Sequence, residues 1–138
     1  YWVFLLTIRL RYLDFEEIAN EMEILFTKTR QEMEIINEME KEFEIEKVIK
    51  IAAHFLNKFL YIHPYRNGNG RTARLLTSYL LLGISVFPVS PTVENHSSTY
   101  LECLRQARFD SNPPVALATL LLERTFYTLD FFNKIILV

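Results

Sequence analysis

The sequence predicts a single all-α domain, and three observations lead to that prediction. A chain of 138 residues has a natural length for one domain with one core. Half of its residues are hydrophobic, so a core can be filled without disulfides. With only five prolines and three glycines, the composition favours long helices over a sandwich with many turns. Cys103 is the single cysteine, which excludes an intrachain disulfide and predicts a reducing, cytoplasmic compartment.

Charge and hydropathy narrow the classes of partner. The apolar start of the chain, residues 1–13, is interrupted by Arg9 and Arg11, so neither a signal peptide nor a membrane partner is expected. Residues 14–47 carry 12 acidic against 4 basic side chains and are interpreted as a solvated helix face. The remainder carries 5 acidic against 11 basic side chains, which suits an anionic ligand. These positive charges form neither a dense run nor a stripe with aromatics, so nucleic acid is not expected as a partner.

The first third of the chain predicts one extended segment and two helical segments. Residues 1–12 contain β-formers and are predicted to be extended. Asp14, followed by Glu17, resembles a capping box and predicts a helix over about 14–27. Helical spacing resumes over 33–39, with a break predicted near 27–30.

Four further segments complete the predicted bundle. Residues 44–61 have an apolar helical face, and this helix ends near Pro64 because the residue before proline avoids the α region. Residues 67–70 predict a loop, and 72–83 predict a helix that turns four apolar residues inward: Leu75, Leu76, Tyr79 and Leu80. An irregular connection over 87–93 then leads to helices over about 97–108 and 114–134.

Residues 63–74, which read H-P-Y-R-N-G-N-G-R-T-A-R, carry the chemistry of this sequence. A glycine-rich loop that opens a helix directs successive N–H groups toward one point, and the helix dipole adds positive charge there. Arg71 and Arg74 are one helical turn apart and can present guanidinium groups to phosphate oxygens. His63, at the other end of the loop, could act as a general base near neutral pH. The residues alone therefore suggest phosphate binding.

This string resembles the signature of the Fic family, H-P-F-x-[D/E]-G-N-[G/K]-R-x-x-R, with Tyr65 in place of Phe. The helix before the loop and the apolar residues after it are also similar to the family. Tyr100, Leu104 and Ala107 match a downstream Y-x-x-x-L-x-x-A helix. The resemblance covers about residues 14–134. It implies one Fic domain over 1–138, with a Fic-fold helical bundle and residues 1–13 as a short β flap that docks targets.

The resemblance implies a protein adenylyltransferase that uses ATP as co-substrate. His63 would take the proton from a Tyr, Thr or Ser hydroxyl of a target protein, and that oxygen would attack the α-phosphate. Tyr65, together with Pro64, would be structural and would plant the loop in the core. The phosphates would be bound by an anion hole, formed by Gly68, Asn69 and Gly70, and by the side chains of Arg71 and Arg74. Arg74 would hold the γ-phosphate. Because Doc-type kinases of the family carry Lys at position 70, Gly70 favours AMP transfer over phosphate transfer.

Asn67 departs from the family pattern, which has Asp or Glu there to hold Mg²⁺. An amide oxygen can ligate Mg²⁺ or Mn²⁺ but lacks negative charge, so a weaker metal site is expected. The alternatives are a slower enzyme, an enzyme with a changed metal requirement, or a nucleotide-binding module without catalysis. We favour an enzyme of weakened activity.

Two further matches to the family concern regulation and the adenine. Residues 90–95 read S-x-x-x-E-N, like the family's inhibitory motif, but their place after the motif helix and Pro91 favour coincidence. A separate antitoxin-like protein, or a helix N-terminal to this sequence, would then compete for Arg74. Tyr100, Leu101 and Arg108 stand where the family has its adenine-pocket residues. Arg108 replaces an Asn there, which leaves the choice of nucleotide open.

Overall fold

The computed structural model describes residues 13–37, 44–92, 97–109 and 114–136. Within these ranges it contains five helices and no strand. The helices are α1 (Phe15–Asn37), α2 (Glu44–Ile62), α3 (Asn69–Leu81), α4 (Ser97–Ala107) and α5 (Val115–Ile136). The prediction of an all-α fold is confirmed, and α2, α4 and α5 end within two residues of the predicted bounds. The extended segment predicted for 1–12 lies outside the described residues.

Helix α2 is the centre of the fold and packs against α1, α3 and α5, while α4 packs against α5. Every turn of α2 after the first contributes a buried side chain, and Leu56, Phe59 and Ile62 are fully inaccessible to solvent. The ring of Phe55 lies edge-on to that of Phe26 on α1, with centroids 5.5 Å apart. None of the described helices has both the length and the apolar character needed to cross a bilayer.

The break predicted near 27–30 is wrong, because α1 is one continuous helix. Thr29 lies four residues after Leu25 and seven before Ile36, and all three side chains are buried on the same face. Thr29 therefore belongs to the stripe that faces the core. A polar residue in that stripe gave the sequence pattern its apparent interruption.

Of the four residues predicted to face inward on the helix after the loop, two face the core and two do not. Leu75 and Tyr79 are each 71% exposed, whereas Leu76 and Leu80 pack against the core as predicted. After the buried Asn69 at the start of α3, the buried row continues with Ala73, Thr77 and Leu81, and the Thr77 hydroxyl donates to the Ala73 carbonyl oxygen at 2.8 Å. The small side chains of Ala73 and Thr77 let α3 lie close to α2, so the larger residues flank the contact.

Removal of the Phe59 ring should strongly destabilise the domain. This side chain is fully buried and contacts the rings of Phe55 and Tyr65, so Phe59→Ala should lower the free energy of unfolding by about 3–5 kcal/mol. Phe126→Ala, which removes a ring that is 72% exposed, is the matched control and should change stability by about 0.5 kcal/mol or less. Urea unfolding measures both; equal losses would contradict this account of the core.

Candidate active site

The backbone of His63 turns the chain out of α2 and into the loop. Its N–H donates to the Phe59 carbonyl oxygen at 3.0 Å, which continues the hydrogen bonding of the helix by one residue. Its φ is 53°, in the left-handed region that few side chains adopt. Pro64 disfavours the right-handed α conformation at the residue before it. The structure therefore keeps His63 in a strained conformation, at a cost of about 1–3 kcal/mol, at the start of the loop.

The side chain of Asn69 closes the loop. Its Oδ1 accepts from the Tyr65 N–H at 2.9 Å, and its Nδ2 donates to the Tyr65 carbonyl oxygen. The residue is 4% exposed, so water does not compete for these bonds. The resemblance implies an anion hole made of backbone N–H groups, and the structural role of the Asn69 side chain leaves its backbone N–H for a ligand. The sequence feature that could have predicted this role is the spacing, since Asn69, with its short amide side chain, lies four residues after Tyr65.

Tyr65 does not anchor the loop in the core, contrary to the expectation. Its side chain is 49% exposed, and its ring lies 6.3 Å from that of Phe59, centroid to centroid. The loop is instead held by the Asn69 side chain and by the buried end of α2 at Ile62.

Helix α3 begins at Asn69, three residues earlier than predicted, with Gly68 as its N-cap. Gly68 has a φ of 86°, which only glycine adopts without strain. Thr72 is the first residue whose N–H bonds into this turn, to the Gly68 carbonyl oxygen at 3.0 Å. Among the described residues the backbone provides no acceptor for the N–H groups of Asn69, Gly70 and Arg71. These three donors lie at the positive end of the helix dipole.

Both arginines fold back over this helix terminus. An Nη atom of Arg71 lies 3.6 Å from where a Cβ of Gly68 would be, and an Nη atom of Arg74 lies 3.3 Å from the same point at Gly70. Neither guanidinium has an ion-pair partner within the described part of the chain. The structure thus brings three backbone donors and two guanidinium groups to one end of α3, an arrangement suited to several phosphate oxygens.

Asn67 is bonded to its own loop. Its Oδ1 accepts from the Gly68 N–H at 2.7 Å, at an exposed position. One hydrogen bond therefore joins the predicted metal ligand to a predicted anion-hole donor. Within the described residues no group of three His, Cys, Asp or Glu side chains is placed to hold a metal ion.

Tyr100 on α4 lies beside Arg74. The side chain is 4% exposed, and its hydroxyl has no hydrogen-bond partner in the described ranges. Burial raises the pKa of Tyr100, and the nearby positive charge of Arg74 opposes that rise without a bond of good geometry between them. Leu101 is 49% exposed, and Arg108 is also exposed. The adenine pocket stays a prediction.

Residues 93–96, which include the Glu of the inhibitory-motif match, lie outside the described residues. The described start of that match is a turn in which the Ser90 hydroxyl donates to the Thr92 carbonyl oxygen at 2.6 Å.

Comparison with known proteins gives matches that include this loop. A model of the Fic/DOC family matches residues 10–81, just over half of the chain. The protein adenylyltransferase Fic of Nematostella vectensis is 38% identical over 88 residues, which cover 63% of this chain and 20% of that protein. A Fido domain-containing protein of Dictyostelium discoideum is 35% identical over 57 residues, 41% of this chain and 39% of that protein.

A third match has a different name. The ribonucleoside-diphosphate reductase small chain of Ostreid herpesvirus 1 is 49% identical over 41 residues, 30% of this chain and 7% of that protein. The chain spans two fifths or less of the length of each of these three relatives. The family match contains the whole of α2, the loop and α3. The chain belongs to the Fic/DOC family.

Proposed function

We propose that this chain is an adenylyltransferase domain that transfers AMP from ATP to a Tyr, Thr or Ser hydroxyl of a target protein. The observation that carries the proposal is the convergence of donors at the start of α3. Three N–H groups and the guanidinium groups of Arg71 and Arg74 lie at the N-terminal end of α3, and His63 begins the loop that leads to it. The named activity of the Nematostella relative supports the same reaction.

In the proposed reaction, the imidazole of His63 accepts the proton of the target hydroxyl. The hydroxyl oxygen then forms a bond to the α-phosphorus, and the bond from that phosphorus to the oxygen bridging to the β-phosphate breaks. Pyrophosphate leaves in line with the attacking oxygen. The N–H groups of Gly70 and Arg71 would bind the phosphate oxygens, and the guanidinium groups would neutralise the charge of the leaving group.

The metal that the family resemblance implies finds little support in the protein itself. Asn67 offers a neutral oxygen that already accepts from the Gly68 N–H, and the described residues provide no cluster of ligands around it. We infer that Mg²⁺ or Mn²⁺ enters with the phosphates of ATP and gains at most one ligand from Asn67. Charge neutralisation then depends mainly on Arg71 and Arg74, which is the physical reason to expect weakened activity.

Two alternatives differ from this proposal in specific ways. A nucleotide-binding module without catalysis is favoured by the Asn67–Gly68 hydrogen bond, which occupies a donor and an acceptor that the reaction would use. A Doc-like phosphotransferase is disfavoured, because a side chain at position 70 would approach Arg74 to about 3.3 Å. Regulation by a separate antitoxin-like protein is consistent with Arg74, which has no carboxylate partner among the described residues.

Loss of His63 should abolish transfer but spare nucleotide binding. With ATP labelled on the α-phosphate and Mg²⁺ or Mn²⁺, the chain should label itself or proteins of an extract. His63→Ala should lower the rate by about 10²–10⁴-fold, the usual contribution of a general base. His54→Ala, on α2, is the control and should label like the wild type. ATP binding without any label from the wild type would favour the nucleotide-binding module, and label only from γ-labelled ATP would favour the phosphotransferase.

Restoring the carboxylate at position 67 should increase activity. Asn67→Asp places a negative charge next to the phosphates, at an exposed position where about 1 kcal/mol of added attraction for a metal ion is expected. The Mg²⁺ concentration for half-maximal labelling should fall roughly fivefold. Asn67→Ala, which removes the oxygen, should shift it in the other direction. If neither variant changes the metal dependence, our account of Asn67 is wrong.

Substitution of Gly70 by alanine should weaken ATP binding without lowering the stability of the domain. Gly70→Ala should leave the domain equally or slightly more stable, because alanine favours helix by up to about 1 kcal/mol. It should weaken ATP binding roughly tenfold, since the new Cβ lies 3.3 Å from Arg74 and displaces a charge-assisted bond of about 1.5–3 kcal/mol. AMP, which lacks the γ-phosphate, should bind unchanged; Gly83→Ala, with only ordinary contacts, is the control. Equal losses for ATP and AMP would exclude an effect through Arg74.

A further inference from the structure

A second concave site lies on α5 and shares no residue with the loop around His63. It is a pocket of about 170 Å³ between the second half of α5 and the segment 88–90. Its walls are mainly apolar: Pro88, Tyr127, Phe131 and Phe132. Because a water molecule takes about 30 Å³ in the liquid, this pocket has room for a small organic group.

The walls of this pocket are held in place by aromatic contacts. The ring of Phe132 stacks on that of Phe87, with centroids 3.8 Å apart and planes 13° from parallel. Phe131 lies edge-on to Phe132 at 5.5 Å. These contacts fasten the end of α5 to the segment after α3, so the pocket needs no rearrangement before a ligand enters.

Arg124 provides the only charged group among the residues that line the pocket. Its Nε atom is buried and has no hydrogen-bond partner within the described ranges. Of the two acidic residues of α5, Asp130 binds Lys134 at 2.6 Å, and neither Asp130 nor Glu123 pairs with Arg124 within the described ranges. The positive charge of this guanidinium has no ion-pair partner within the described ranges, so an anion in the pocket would be stabilised.

The Ser90 and Thr128 hydroxyls of the pocket do not add donors. The Ser90 hydroxyl donates to the Thr92 carbonyl oxygen, and the Thr128 hydroxyl donates to the Arg124 carbonyl oxygen at 2.9 Å. One guanidinium matches the two oxygens of a carboxylate through its two Nη–H groups. A phosphate dianion would need more donors than this pocket offers. The positive edges of the surrounding rings also suit an anion that carries an apolar group.

We propose that the pocket around Arg124 binds a carboxylate attached to a small apolar group. Such a group occurs in free carboxylic acids and at the C-terminus of a peptide that ends in an apolar residue. The guanidinium of Arg124 binds the carboxylate, and the rings of Tyr127, Phe131 and Phe132 contact the apolar part. The site is separate from the proposed nucleotide site and does not depend on it.

Titration of the full chain with benzoate tests this proposal, with the Arg124 Nε–H resonance as the readout. Saturable binding in the range of about 1–10 mM and a shift of that resonance are expected, whereas benzamide, which lacks the charge, should not bind. A peptide that ends in phenylalanine and the same peptide with a C-terminal amide form a second pair. Tighter binding of the free peptide than of benzoate would identify a protein source, and the reverse would identify a free acid.

Variants and competing anions complete the test. Arg124→Met keeps the aliphatic stem and should weaken benzoate binding at least tenfold, while Arg105→Met, whose charge pairs with Glu102, should bind like the wild type. If Arg124→Met does not fold, the benzoate–benzamide comparison on the wild type decides. Absence of saturation, or tighter binding of inorganic phosphate than of benzoate, overturns the proposal. Benzoate binding that appears only in Glu94→Gln would show that the chain's own Glu94 is the occupant, and would also overturn it.

Discussion

The side chain of Asn69 sets the geometry on which the candidate active site depends. By bonding to both the N–H and the carbonyl oxygen of Tyr65, it closes the chain between the end of α2 and the start of α3. The loop is too short to have a core of its own, and Tyr65 is half exposed. This buried amide adds two hydrogen bonds within the loop to the one that joins the His63 N–H to the end of α2. The strained backbone of His63 persists because both helices and this amide hold it there.

Helix content and the position of the loop could be predicted from the sequence because they depend on local rules. Apolar residues at helical spacing defined α2, and Pro64 marked its end to within one residue. The start of α3 was misjudged because two Asn–Gly pairs indicate a turn, whereas Gly68 alone makes the turn and Gly70 is already helical. The break assigned to α1 had a similar cause, since Thr29 is polar by composition but buried by position. Each error came from inferring the structure from the type of a residue, whereas tertiary packing decided which structure that residue adopts.

The candidate site likewise has features that could be predicted from the sequence and features that could not. The chemistry of the site could be predicted from the sequence, because the donors for an anion must be N–H groups and guanidinium groups, and their spacing on a helix is regular. The hydrogen-bond partner of each donor could not be predicted from the sequence, because the Asn67–Gly68 hydrogen bond and the two bonds of Asn69 depend on loop conformation. The outward direction of Leu75 and Tyr79 also could not be derived. Helical spacing groups residues into faces, but only the close approach at Ala73 and Thr77 decides which face meets α2.

Arg74 connects the loop to the rest of the bundle. Its guanidinium lies over Gly70, where a side chain would displace it, and near the Tyr100 hydroxyl of α4. That hydroxyl is buried and lacks a hydrogen bond within the described ranges, so it retains an acceptor that a small movement of Arg74 could reach. The family resemblance assigned Tyr100 to the adenine, whereas in this structure it borders the arginine expected at the γ-phosphate. Because α4 packs on α5 and α5 on α2, the position of this arginine depends on the whole bundle as well as on the loop.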